Sequence, residues 1–292
     1  MAILQNIVVP ASGGIPITTG VFGGGDTSAK SNVIDYITIQ TTGNATEFGD
    51  LVSARNYLAG CADATRGVFA GGTGPSDVIE YVTIASPSNT TDFGDLTAAR
   101  NVLGACADAT RGVFAGGYDT EDKDIMDYIT IQTTGNATDF GDLSVGRTGA
   151  AGCADATRGV FGGGETTVFV SNIDYITIQT TGNATDFGDL SVGRWGVAGC
   201  ADATRGLFGG GATYDSIDYI TIQTTGDATD FGDLVSARYG LAACADATRG
   251  VFAGGTGPLD VIEYVTIQTT GNTTDFGDLT VSRRNMGAFS GG

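Results

Sequence analysis

The chain contains no histidine. That absence removes Ser-His-Asp triads, Cys-His dyads and imidazole metal sites, the commonest hydrolytic and metal-dependent arrangements. Charge is scarce and one-sided. Charged residues make up 16% of the 292, with 14 basic against 33 acidic, for a formal charge of −19. A surface of that sign repels phosphate backbones, so nucleic acid is not an expected partner; the same charge also simply keeps a protein soluble. No stretch approaches the roughly 20 apolar residues of a spanning helix, so membrane insertion is not expected. The opening MAILQNIVVPASGG has no basic stretch, and Gln5 and Asn6 interrupt its apolar run, so it does not read as a signal peptide.

What is present is a repeat. The phenylalanine of [DE]-F-G-D-L falls at Phe48, Phe93, Phe140, Phe187, Phe231 and Phe276, at spacings of 45, 47, 47, 44 and 45. Periods of this size mark propellers and solenoids. Each unit divides into four short segments between turn residues, as in YLAGCA, RGVFAGG, VIEYVTIA and TDFGDL after Arg55. The third sets Ile79, Tyr81 and Thr83 against Val78, Glu80 and Val82, a strand pattern, and no segment reaches helical length. Gly43-Asn44, Gly135-Asn136, Gly182-Asn183, Gly226-Asp227 and Gly271-Asn272 join the third segment to the fourth, and these residue types tolerate the positive φ of tight hairpins. A four-stranded meander of this size cannot cover both its faces, so the blades must lean on one another around an axis. The expected fold is all-β: a six-bladed propeller of four-stranded antiparallel blades over residues 20–292, preceded by an N-terminal arm, residues 1–19.

The order Arg, strand, VF[AG]GG, loop, [IM]-[DE]-Y strand, aromatic fourth strand resembles the kelch repeat over residues 20 to 290, with Phe of DFGDL replacing the kelch tryptophan throughout. The form GVFGGG…IDYITIQTTGNATDFGDL also resembles repeats in virion structural proteins of tailed phages of marine cyanobacteria. That resemblance implies a non-catalytic virion, tail-fibre or capsid-surface protein, assembled in the host cytoplasm. It would hold other virion proteins through its arm and attach to a host surface glycan or protein. A cellular lectin-like or scaffold kelch propeller is the alternative. The copper site of kelch-containing oxidases is excluded by the missing histidine, the S-x-D-x-G-x-T-W boxes of sialidase-like propellers are absent, and no cofactor is expected.

The first unit starts at its second strand, Gly20-Val21-Phe22. Aligning the tail RNMGAFSGG with NYLAGCADA predicts that residues 285–290 supply its innermost strand and close the ring. Innermost strands are built of small residues and carry Cys61, Cys106, Cys153, Cys200 and Cys244 at one repeat position; they read as buried thiols, a metal-binding ring being the lesser alternative.

Eleven of the twelve arginines occupy two repeat positions. Arg55, Arg100, Arg147, Arg194, Arg238 and Arg283 follow the fourth strand, and Arg66, Arg111, Arg158, Arg205 and Arg249 open the second. Most acids are equally periodic, so the arginines are expected to form a structural ring of Arg-carboxylate pairs, with an anion-binding ring as the alternative. The D-F-G triplets lack every other kinase element and are repeat residues. The N-x-[ST] sequons at Asn44, Asn89, Asn136, Asn183 and Asn272 coincide with turns and are read as turn chemistry first.

Between GG and the [IM]-[DE]-Y strand, the loop lengths of 6, 8, 8, 5 and 6 change in step with the repeat spacing, so all length variation lies there. In a meander this loop shares a face with the equally irregular connection to the next blade. One face is therefore irregular and the other, carrying ADATRG and TTGNATDFG, nearly uniform. The irregular face is the candidate ligand-binding face. It collects Trp195, the only tryptophan, with Tyr57, Tyr118, Phe169, Tyr214 and Tyr239, and the acids Asp119, Glu121, Asp122 and Asp124. Aromatics among polar groups suit sugar or protein surfaces, although free drift of loop sequence leaves the same pattern. The acid spacing matches no EF-hand loop, and no metal site is assigned.

Overall fold

A computed structural model of the chain describes residues 18–257 and 259–291. It contains twenty-four strands and, among the described residues, no helix. The strands form six four-stranded antiparallel sheets arranged as the blades of a propeller. Blade 1 contains β1 (Thr19–Gly23), β2 (Val33–Thr38), β3 (Thr46–Asp50) and, innermost, β24 (Gly287–Gly291). Blade 2 runs from β4 (Ala59–Ala62) through β5 (Arg66–Ala70) and β6 (Ser76–Thr83) to β7 (Thr91–Arg100). Blades 3 to 6 repeat that meander, starting at β8 (Gly104–Ala107), β12 (Ala151–Ala154), β16 (Ala198–Ala201) and β20 (Ala242–Ala245).

The ring closes through the C-terminal strand. β24 pairs antiparallel with β1 from Gly287↔Gly23 to Gly291↔Thr19, so the closing strand sits slightly beyond the expected residues 285–290, and Thr19, assigned from sequence to the arm, opens β1. Residues 1–17 of the arm lie outside the described residues. Thr19 and Gly291 meet at the sheet end that carries the ADATRG turns in other blades, whereas Gly23 and Gly287 lie at the end bearing the variable loops. Among the described residues, the chain therefore enters at Thr19 and leaves at Gly291 on the uniform face.

Core residues sit between blades, since each blade buries both its faces. In blade 2, Ile79 and Val82 are both buried, and Glu80 between them is only 1% exposed. The fourth strand carries a β-bulge at the [DE]-F-G triplet: in blade 1 the register shifts between Ile34 and Asp35, opposite Glu47-Phe48-Gly49, and Gly49 adopts φ 154°. A Cβ on Gly49 would lie 2.4 Å from the Ser88 carbonyl in the next blade, which is why the triplet keeps its glycine. The bulge sets Phe48 edge-on to Tyr36 at 5.9 Å, and the same pair recurs in all six blades.

The hairpin asparagines differ from the turn expectation. The glycines take the positive φ, as at Gly43 (155°), while the following side chain bonds to the neighbouring blade. Asn44 Oδ1 accepts from the Asp278 amide, Asn89 from Asp50, Asn136 from Asp95, Asn183 from Asp142, Asp227 from Asp189 and Asn272 from Asp233. Only an acceptor oxygen is needed, so Asp227 serves as well as asparagine.

Candidate functional site

The two arginine sets do different work. Each arginine at or just beyond the end of a fourth strand reaches a carboxylate in the third strand of the next blade: Arg55–Glu80, Arg100–Asp127, Arg147–Asp174, Arg194–Asp218, Arg238–Glu263 and Arg283–Asp35, at 2.7–3.2 Å. All twelve side chains are buried, and burial pushes the Arg55, Arg147, Arg194 and Arg283 guanidiniums down against the opposing pull of their carboxylates. These groups face one another inside the ring, away from any incoming anion. Among the described residues the second set makes no ion pair. Arg66, Arg111, Arg158, Arg205 and Arg249 stack 4.1–4.4 Å over Tyr81, Tyr128, Tyr175, Tyr219 and Tyr264. Each also donates from Nη1 to a carbonyl of the following blade, as Arg66 does to Ile131.

The central channel offers little chemistry. Gly60, Ala62 and their equivalents, ending with Ala288 and Ser290, line it with the cysteines. The five thiols are buried and free, and each Sγ rests against a second-strand glycine of the next blade, as Cys106 does on Gly159. Burial pushes the Cys61 and Cys200 thiols up to about 12 and raises the other three as well. Among the described residues no group of three or more Cys, Asp or Glu is placed to hold a metal.

On the variable face, the paired residues that step into each blade have fixed backbone roles. The first member bonds to the loop between the second and third strands: Trp195 accepts from the Ala212 amide, Tyr239 from Thr256 and Asn56 from Thr73, and Asn101 and Thr148 exchange two bonds each with Tyr118 and Glu165. The second member, Tyr57, Val102, Gly149, Gly196, Gly240 or Asn285, lies in the left-handed region at φ 55–70°. These six form a closed belt around the axis, each amide donating to the preceding carbonyl: Val102 to Tyr57, Gly149 to Val102, Gly196 to Gly149, Gly240 to Gly196, Asn285 to Gly240 and Tyr57 to Asn285. The belt was not anticipated from sequence; three glycines and an asparagine at this position were the available signal. Because the backbone holds this face together, its side chains are free to differ.

The candidate residues separate into two groups. Phe169, Trp195, Tyr214 and Tyr239 line one cleft of about 370 Å³ together with Glu165, Ala212 and Thr213. The Trp195 ring lies 5.2 Å from Tyr239 and 6.5 Å from Tyr57, which does not line the cleft but a separate opening on the axis, beside the Gly149 and Gly196 backbone. Phe169 and Tyr214 are 48% and 36% exposed, unlike the repeat phenylalanines. Tyr118, Asp119, Glu121, Asp122 and Asp124 belong to blade 3 and do not line the cleft. There Lys123 binds the carboxylates of Asp119 at 3.1 Å and Glu121 at 3.0 Å, so the acidic run is partly neutralised by its own lysine. A residue that sequence reasoning passed over is Asp26. Its Oδ1 accepts from Asn56 and Asn285 at 2.8 Å, and Oδ2 accepts from Arg284, the arginine outside the repeat positions, at 3.1 Å. Neither a family model nor a curated protein matches the chain.

Proposed function

We propose that this propeller is a non-catalytic recognition protein of a phage virion, joined to other virion proteins through its N-terminal arm and meeting a host surface glycan or protein with its variable face. The observation that carries this reading is a polarity of the fold: four aromatic side chains converge in one cleft on the variable face, while Thr19, where the arm joins the first blade, and Gly291 lie on the opposite face. A molecule tethered from one end of its axis presents the other end outward. The repeat resemblance supplies the virion, and a lectin-like or scaffold role in a cell is the rival that shares the same cleft. Mass spectrometry of purified particles decides between them. Detection of the chain in particles, with host adsorption reduced by Tyr214→Ala, supports the virion reading; its absence from particles removes that reading.

A further inference from the structure

We infer that the cleft between Trp195 and Tyr214 takes the quaternary ammonium group of a small soluble organic cation. This rests on the reading of the variable face as a recognition surface. Four aromatic side chains and one carboxylate, Glu165, line the cleft, and no lysine or arginine does. The Glu165 backbone is fixed by its two bonds with Thr148, while its side chain makes no ion pair or hydrogen bond among the described residues. An alkylammonium group is attracted to aromatic faces and to a carboxylate together.

Ring geometry favours a cage over a shelf. Trp195 is inclined 52° to Tyr239, so these two rings do not form the flat platform on which a pyranose stacks. The chain's charge of −19 concentrates cations near the surface and disfavours anions. At about 370 Å³ the opening suits a small molecule.

Trp195 is the only tryptophan, so intrinsic fluorescence reads the cleft directly. The protein is titrated with choline, with tetramethylammonium, with the uncharged choline isostere 3,3-dimethylbutan-1-ol and with a panel of methyl glycosides. The expected result is a saturable response to both cations, weakened by salt, with the neutral isostere bound at least about tenfold more weakly. Glu165→Gln, Phe169→Ala and Tyr214→Ala should each weaken choline binding about fivefold or more at an unchanged melting temperature. Equal binding of choline and its isostere overturns the proposal, as does silence with both cations. A saturable glycoside response without a cation response overturns the ligand class and leaves recognition through this face standing.

Discussion

The guanidinium of Arg283, at the end of the last blade, lies 2.7 Å from the carboxylate of Asp35 in the first, and both side chains are fully buried. It is the sixth copy of a pair that links every blade to the next, and the copy that spans the join between the two ends of the chain. Arg283 also donates to the carbonyls of Gly24 and Phe22. Its removal strands a carboxylate in a dry interface, where an unpaired charge is far costlier than a pair. Arg283→Met is expected to destabilise the protein by about 3–5 kcal/mol, and adding Asp35→Leu should recover most of that loss. Guanidinium denaturation of the two variants checks this; a double variant no more stable than the single one would count against the pair's isolation from its surroundings.

Closure by β24 combines a strand ladder, an aromatic contact and a polar clamp. Phe289 occupies the position of Cys61 and packs 4.8 Å from Phe69 across the blade interface. Asp26 ties the step into β24 to blade 2 through Asn285 and Asn56. Phe289→Ala alone should cost about 3–5 kcal/mol. Deleting residues 284–292 removes the whole ladder and bares the edge of β1, so the melting temperature should fall by more than about 10 °C with a tendency to aggregate. Differential scanning calorimetry reads both variants, and a deletion that melts at the wild-type temperature would refute closure.

The ring, its six blades and the closing strand were legible because each is encoded six times over, and because the one unit lacking an inner strand faces a tail that matches it. Partner choice was not legible. Arg55 and Arg66 are both repeat arginines among repeat acids; only the packing shows that one meets Glu80 and the other the ring of Tyr81. The seam also explains a departure in the sequence. Gln132, Gln179, Gln223, Gln268 and Gln40 each donate to the aspartate of an ADAT turn, and blade 2 has Ala85 there, because blade 1 has no such turn to receive a glutamine. The cleft was legible only in part. Its aromatics stood out as breaks in the repeat, but Tyr118 and the acids of blade 3 broke the repeat too, and only position separates them from blades 4 to 6.

The channel thiols and the second-strand glycines are a matched set. A Cβ on Gly159 would lie 2.4 Å from Cys106 Sγ, with Ile176 closing the other side at 3.1 Å. Gly159→Ala should therefore cost about 1–3 kcal/mol through overpacking. Cys106→Ala withdraws the sulfur, so the double variant should be more stable than Gly159→Ala alone. Thermal melts of the four proteins in this cycle give the coupling, and simple additivity would show that the glycine is kept for another reason.

The same thiols set an alkaline limit on stability. Burial, with Asp63 adding to it, pushes Cys61 up to about 12, and burial with Asp202 does the same for Cys200 against a weaker opposing bond from the Val251 amide. In the unfolded chain these groups ionise near their ordinary value of 9.0. Above that pH the unfolded state sheds protons that the folded state retains, so the unfolded state is favoured. The contribution is fully present below pH 9 and is lost as pH rises toward 12, at about 1.4 kcal/mol per pH unit for each thiol. Denaturation midpoints measured from pH 7 to 11 should fall above pH 9, and the Cys61→Ala, Cys200→Ala double variant should fall less steeply. Native protein at pH 8 should leave all five cysteines unmodified by iodoacetamide, with all five reacting in denaturant; rapid labelling of the folded state, or an identical alkaline slope in the variant, would show that the channel wall does not shield its sulfurs.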